Sequence, residues 1–224
     1  MMKKAILFSA LLLLAGCTRT MNNIHKEPNF EALVVESGEH SILVEAAEGE
    51  DERHSSDLFS VSLDVELKDS MTHFEVGDTV QIYYDGSIAE SYPAQIHTVY
   101  AITLTEPAVP EEMLTYALEE SGFTVESYEE DSPFFTESAV RLVVESGAQI
   151  VLYPFEDREE TDAAIKKIGH GGSEIPGNDG NICIVDWVDV PHFYRYSSSI
   201  VQYIGSDEMI LSVLDKVCSE KITG

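Results

Sequence analysis

The densest group of side chains that could bind a ligand lies between residues 187 and 196, in the run WVDVPHFYRY. Aromatic rings with a polar group at one end suit the recognition of peptides and sugars. The residues of this predicted binding patch are Trp187, His192, Phe193, Tyr194, Arg195 and Tyr196. The interpretation that we favour is that alternate members of the run pack a sheet against helices, while the rest lie at a strand end.

Catalytic motifs are missing from the sequence. No Gly-x-Ser-x-Gly motif occurs, and neither of the two later cysteines lies in a recognisable nucleophile context. A Gly-His-Gly-Gly run at residues 169–172 follows a predicted helix and lacks a matching serine motif. We therefore interpret it as the loop that ends the helix. No catalytic residue is predicted, and the alternative is an enzyme that uses His192 as a base with Asp186 or Asp189 nearby.

The sequence gives little evidence for a metal site, because no His-Glu-x-x-His, Cys-x-x-Cys or calcium-loop spacing occurs. Two acidic runs could bind calcium weakly, but solvated charge is the ordinary explanation of such runs. The first run contains Glu48, Glu50, Asp51 and Glu52, and the second contains Glu126, Glu129, Glu130 and Asp131. We predict no cofactor and no metal, and we keep a weak calcium-dependent surface module as an alternative.

The N-terminus has the pattern of an export signal. Two lysines at positions 3 and 4 precede an eleven-residue weakly polar to apolar run, AILFSALLLLA. This run is too short to span a bilayer, which needs about 20 apolar residues. The run ends in a lipobox-like sequence formed by Leu14, Ala15, Gly16 and Cys17. Residues 1–16 are therefore predicted to be a lipoprotein signal peptide.

Cys17 is the predicted site of lipid attachment. A diacylglyceryl cysteine that carries acyl chains such as palmitate would hold the mature chain on a membrane surface, because each buried methylene contributes about 0.8 kcal/mol. The expected location is extracytoplasmic, with the protein lipid-anchored to the outer face of the cell membrane.

The charge of the chain is strongly acidic, with 13 basic and 41 acidic residues. Removal of residues 1–16 would take away two lysines and no acidic residue, so the net charge would change from −28 to −30. Such a field repels nucleic-acid phosphates and anionic lipid head groups. We therefore expect no nucleic-acid partner.

Cys183 and Cys218 are the only cysteines left after lipid attachment. An exported chain permits a disulfide between them, but one lies in a predicted strand and the other in a predicted terminal helix. The alternative is that both are buried free thiols.

Hydrophobic periodicity divides the mature chain into two units. Residues 17–29 read as a polar tether, and residues 30–105 contain five predicted strands, which suit a small all-β OB-like barrel. Two prolines mark a linker at residues 106–110. Residues 111–224 then follow the order α-β-β-β-α-β-β-α, which predicts a mostly antiparallel sheet. The predicted class is α+β overall.

Two segments carry a resemblance to known proteins. They are VGDTVQIYYDGSIAESYPAQIHTVYAI and PHFYRYSSSIVQYIGSDEMILSVL. The chain resembles uncharacterised exported lipoproteins of Gram-positive bacteria, of the Bacillus and Clostridium type. These have a small OB-like N-terminal domain of unknown function and an α+β C-terminal domain. The resemblance implies a Gram-positive cell surface, but it implies no activity and no catalytic residue.

The leading hypothesis is a lipid-anchored cell-envelope protein that is a non-enzymatic binding or interaction module, with a protein or an oligosaccharide as its ligand. The first alternative is a cryptic envelope hydrolase or wall-modifying enzyme, and the second is the calcium-dependent surface module. A cleft around His192 would favour the hydrolase, and burial of His192 in the sheet core would not.

Overall fold

A computed structural model describes residues 19–224 of the chain. The predicted signal peptide, the lipobox residues Leu14, Ala15 and Gly16, and the lipid-attachment residue Cys17 lie outside the described residues. Within residues 19–224, no helix is both long enough and apolar enough to cross a membrane.

The first sheet is built from the segments with the clearest two-residue periodicity. Its strands are β1 (Asn29–Ser37), β2 (Ser41–Ala46), β3 (Leu58–Ser62), β4 (Thr79–Tyr84), β5 (Ala94–Ile96) and β6 (Val99–Glu106). Their order is β5-β3-β2-β1-β4-β6, and all pairs are antiparallel except β3 with β5. Alternate residues of β1 to β4 are buried, so one face of the sheet forms an apolar core.

The predicted OB-like barrel is wrong, because the first sheet is not closed. The segment LFSVSLDVEL, residues 58–67, alternates apolar and polar residues and predicts one strand, but the strand ends at Ser62. Its contact with β6 is an isolated bridge between Val65 and Val99, with two backbone hydrogen bonds beside it. β5 has only three residues. The two edges are therefore too short to form a continuous ladder.

The second sheet follows the first along the chain. Its strands are β7 (Val125–Asp131), β8 (Ser138–Val144), β9 (Gln149–Pro154), β12 (Pro191–Tyr196), β13 (Ser199–Ile204) and β14 (Glu220–Thr223), and a separate hairpin contains β10 (Glu174–Pro176) and β11 (Ile182–Ile184). The order is β14-β12-β13-β9-β8-β7, and every neighbouring pair is antiparallel.

Three α-helices occur in the described residues, and all lie in the second unit: α1 (Pro110–Glu120), α2 (Arg158–Ile165) and α3 (Glu208–Val217). Pro110 opens α1, as a proline in the first turn can. The Asp157 carboxylate accepts a hydrogen bond from the Glu160 backbone N–H at the start of α2. Ser206 is the residue that the sequence predicts as the start of the last helix, but Asp207 is the cap and the helix begins at Glu208. The Asp207 carboxylate accepts from the Met209 and Ile210 N–H groups.

The predicted α+β class is also wrong, because the chain is mostly β. The helices are short, and the prediction missed several strands. The aromatic run of residues 191–196 is itself strand β12. The apolar run NICIVDWVDV, residues 181–190, predicts a strand, but only Ile182–Ile184 form one. A further strand, Glu220–Thr223, follows the last helix.

The two faces of the second sheet are covered differently. Helices α1 and α3 pack on one face, which we call the helix face, in a cluster that includes Leu114, Tyr194 and Leu214. Helix α2 and the β10–β11 hairpin contribute to a second cluster that includes Phe193 and Ile175. We call the side on which this cluster lies the groove face, because its cover is incomplete.

The two units make direct contact through a loop of the first unit, residues 74–78. The Tyr196 hydroxyl donates a hydrogen bond to the Val76 carbonyl at 2.5 Å, and the Ala108 N–H donates to the Asp78 carboxylate at 2.8 Å. Gly77 has φ +92°, and a Cβ there would lie 3.0–3.2 Å from Met113, Ala108 and Tyr196. The loop is therefore docked closely against the second unit.

Candidate functional site

The predicted aromatic patch does not form one surface. Phe193, Tyr194 and Tyr196 are each fully buried. Successive side chains of a strand point to opposite faces, so Tyr194 and Tyr196 pack in the helix-face cluster and Phe193 packs on the groove face. The packing interpretation therefore accounts for these three rings.

His192 is buried rather than placed in a cleft. Only 6% of the residue is exposed, and its Nε2 lies 3.0 Å from the Gly205 carbonyl oxygen. Its ring stacks on Tyr203 with the centroids 6.0 Å apart. Burial lowers the pKa of the imidazole. This is the location that disfavours the envelope-hydrolase alternative.

Arg195 lies near the edge of the second sheet, and its guanidinium forms two ion pairs. Its Nη2 lies 2.5 Å from the Glu220 carboxylate on β14, and its Nη1 lies 3.5 Å from Asp162 on α2. Arg195 therefore joins two elements of the fold.

Trp187 is the member of the predicted patch that reaches an open site. Its indole Nε1–H donates to the Gly172 carbonyl at 2.8 Å, and its ring centroid lies 6.0 Å from that of Phe134 and 6.4 Å from that of Phe193. Gly172 belongs to the Gly-His-Gly-Gly run, where a Cβ would lie 2.8 Å from the Phe193 ring. The close packing of this run orients the indole.

A groove of about 470 Å³ opens beside Trp187 on the groove face. We call it the sheet groove. Its sheet side includes Arg141, Gln149, Val151, Tyr153, Gln202 and Ile204, and its other side includes Phe134, Asp186, Trp187 and Val188. A cavity of this size that combines apolar walls with a few polar groups is the usual form of a small-ligand site.

Strand pairing explains why distant residues meet in the groove. Arg141 on β8 lies opposite Val151 on β9, Val151 lies opposite Gln202 on β13, and Gln202 lies opposite Phe193 on β12. Because paired residues share a face of the sheet, these four side chains form one row across four strands. The row runs from the open part of the face to the part covered by the aromatic cluster.

Polar side chains of the groove hold one another in place. Arg141 Nε donates to both oxygens of Glu130 at 3.0 Å, and Arg141 Nη1 donates to Gln149 Oε1. This hydrogen bonding lowers the pKa of the Glu130 carboxyl. The Tyr153 hydroxyl donates to Gln202 Oε1 at 2.6 Å, and burial raises the pKa of Tyr153. The groove is therefore preorganised.

One polar group in the groove has no partner among the described residues. Gln202 is 4% exposed, and its amide Nε2 makes no hydrogen bond although its Oε1 is satisfied. A buried donor without a partner costs about 1–3 kcal/mol. An acceptor from a ligand or a water would relieve this cost.

The sequence interpretation missed Arg141, Gln149, Tyr153 and Gln202 as site residues. Each is a polar or aromatic side chain in or next to a segment that the pattern predicted as a strand. The missing information was the register of strands more than 40 residues apart, such as β9 with β13. A polar residue such as Gln202 in an otherwise apolar strand was the available signal.

The two later cysteines are free thiols in the structure. Cys183 packs with the groove-face cluster, whereas Cys218 belongs to the helix-face cluster. Burial raises the pKa of the Cys218 thiol. The structure therefore places the two residues in different layers and does not pair them.

The two acidic runs are far apart in the topology, because one follows β2 in the first unit and the other lies along β7. The Glu50 carboxylate accepts from the Glu31 N–H, and the Glu52 carboxylate accepts from the Tyr84 hydroxyl. Among residues 19–224, no group of three or more His, Cys, Asp and Glu side chains could hold a metal ion.

Comparison with known proteins identifies one part of the chain. Residues 30–101 match the model of a family described as "Protein of unknown function (DUF3221)". The match covers β1 to β5 and the start of β6, and it does not include the sheet groove. No curated protein and no solved structure matches the chain. The chain thus contains a DUF3221 domain, of unknown function, in its first unit.

Proposed function

We propose that the protein is a lipid-anchored, extracytoplasmic binding module of a Gram-positive cell envelope, and that the sheet groove binds its ligand. The observation that supports this proposal is the set of hydrogen-bonded polar side chains in the groove beside Trp187, together with the unpartnered Gln202 amide. Fixed donors and acceptors next to aromatic rings suit the recognition of a ligand.

The proposed anchor rests on the lipobox-like sequence that ends at Cys17. Metabolic labelling with a fatty-acid probe should mark the wild-type protein and not Cys17→Ala, and only the wild type should remain with membranes after cell lysis. Equal labelling of both proteins would contradict lipid attachment at this thiol.

Binding is favoured over catalysis by the state of the carboxylate that pairs with Arg141. A general acid needs a raised pKa, whereas Arg141 lowers the pKa of Glu130. Burial of His192 away from the groove removes the base that the hydrolase alternative requires. The groove is therefore better suited to hold a ligand than to transfer a proton.

The single tryptophan of the chain makes the proposal testable, because Trp187 reports on the groove alone. Titration of the soluble chain from Thr18 with a muramidase digest of purified peptidoglycan should change the Trp187 emission in a saturable way. Arg141→Ala should weaken this response, and Tyr116→Ala, an exposed change on α1, should leave it unchanged. The absence of a saturable response both to this digest and to neutral oligosaccharides, by fluorescence and by calorimetry, would contradict the proposal.

A further inference from the structure

We infer that the sheet groove binds a neutral sugar that carries acetamido groups. This inference rests on the proposed function and names the chemical class of its ligand. Three properties of the groove support this inference. The backbone groups of its central strands are already hydrogen-bonded, its side chains carry net negative charge, and the unpartnered Gln202 amide lies beside apolar residues.

The backbone of the sheet side cannot recruit an extended peptide as an extra strand. Strands β8, β9 and β13 each have a paired neighbour on both sides, so their backbone groups are already used in the ladder. Strand addition needs an exposed sheet edge. Strand β7, whose Glu130 also lines the groove, is an edge strand, but over β8, β9 and β13 recognition must come from side chains.

The charge of the groove disfavours an acidic ligand. The Arg141 guanidinium donates to Glu130 and Gln149, and its charge is neutralised by the Glu130 carboxylate. Asp186 adds a further negative charge to the lining. A bound carboxylate or phosphate would meet this charge in a protein of net charge −28.

The acetamido group matches the unpartnered amide. The Gln202 amide N–H has no acceptor among the described residues, and its nitrogen is buried just beneath the lining of the groove. A small movement of this side chain toward the groove would let an acetamido carbonyl supply the acceptor. Val151, Ala148 and Ile204 also line the groove and give the acetamido methyl an apolar surface. The apolar face of the sugar ring would then pack against the rings of Trp187 and Phe134. A plain hydroxyl, whose oxygen is bonded directly to the ring, would not reach as far as the acetamido carbonyl and would leave both features unused.

Triacetylchitotriose and cellotriose are matched probes, because they share a β-1,4-linked ring and differ in the acetamido group. Trp187 fluorescence and calorimetry with the soluble chain should give a dissociation constant at least about tenfold lower for triacetylchitotriose, which corresponds to about one net hydrogen bond. The Tyr116→Ala variant should show the same preference as the wild type.

The Gln202→Leu variant should lose this preference. Because that substitution also removes the acceptor of Tyr153, the variant Tyr153→Phe with Gln202→Leu is measured beside it, so that no buried hydroxyl is left without a partner. Circular dichroism and a thermal melt establish that each variant is folded. A preference that survives in both folded variants would overturn the role of the amide.

The remaining outcomes separate the two proposals. Equal affinity for the two trisaccharides overturns the acetamido specificity. A response to the peptidoglycan digest without a response to triacetylchitotriose overturns this inference and leaves the proposed function standing. No response to any of these probes overturns both.

Discussion

The two faces of the second sheet receive side chains from the same strands but are covered by different elements. The helix face is covered by α1 and α3 and contains apolar residues and tyrosine rings. The groove face is covered by α2, the β10–β11 hairpin and an aromatic cluster over part of its area. Polar side chains line the part that stays open. This difference indicates that the helix face supplies stability, whereas the open part of the groove face is available for binding.

The largest effect should come from truncation on the helix face. Leu214 on α3 is fully buried, so Leu214→Ala should reduce the free energy of unfolding by about 2–5 kcal/mol through lost burial and a cavity. Met209 on the same helix is 55% exposed, and Met209→Ala should change it by no more than about 0.5 kcal/mol. Urea denaturation of both variants checks this, and equal losses would show that the helix face is not the main core.

The next effect concerns the polar pair of the groove face. Tyr153→Phe leaves the buried Gln202 Oε1 without its donor, so that neither polar atom of this amide has a partner among the described residues, and should cost about 1–3 kcal/mol of unfolding free energy. Adding Gln202→Leu removes both unpartnered atoms and should recover most of that loss. A double-mutant cycle in urea measures the coupling. Additive losses would mean that the pair does not interact as the structure shows.

A smaller effect should follow from loss of the cap of α2, the helix that covers part of the groove face. Asp157→Ala removes the acceptor of the Glu160 N–H and should cost about 1 kcal/mol. Glu159 is an exposed neighbour in the first turn, and Glu159→Gln should cost no more than a few tenths of that, through the helix dipole. Thermal melts compare the two variants, and a similar shift in both would contradict the capping role.

The smallest effect is a pH dependence from His192. Burial lowers its pKa in the folded protein, whereas the unfolded chain keeps the ordinary value of about 6.5. The unfolded state therefore binds a proton first, so stability is present above about pH 6.5 and is lost as the pH falls toward the folded pKa. Besides the Gly205 carbonyl, the charged groups that face the ring are Lys221, Asp215 and Asp189.

His192→Gln should therefore flatten the dependence of unfolding free energy on pH between about 7.5 and 5.5. The exposed His97 provides a matched control, and His97→Gln should keep the wild-type slope. Urea denaturation at several pH values gives both slopes. An unchanged slope in His192→Gln would show that the imidazole is not excluded from solvent in the folded state.

Local sequence signals predicted the elements that depend on neighbouring residues. Pro110 suits the start of a helix, the spacing from Asp157 to Glu160 is that of a capping box, and Ser146-Gly147 suits a turn. The structure has the starts of α1 and α2 and the turn between β8 and β9 at these places. These features depend on contacts within a few residues, which sequence spacing records directly.

Long-range features were not predictable in the same way. Closure of the first sheet depended on whether residues 63–67 would extend β3 against β6, and the single bridge at Val65 shows that they do not. The sheet groove required Gln202 to lie opposite Val151, which is a matter of register between distant strands. The aromatic run was noticed for its composition, but strand alternation buried Phe193, Tyr194 and Tyr196 on two faces.

The docked loop at residues 74–78 has a consequence for the DUF3221 domain as a transferable module. Its Val76 carbonyl and Asp78 carboxylate accept hydrogen bonds from Tyr196 and Ala108, both of which lie beyond the family match. If the domain of this chain were separated from the second sheet, water or a different neighbour would have to satisfy these acceptors. The loop therefore links the hydrogen bonding of this domain to the unit beside it.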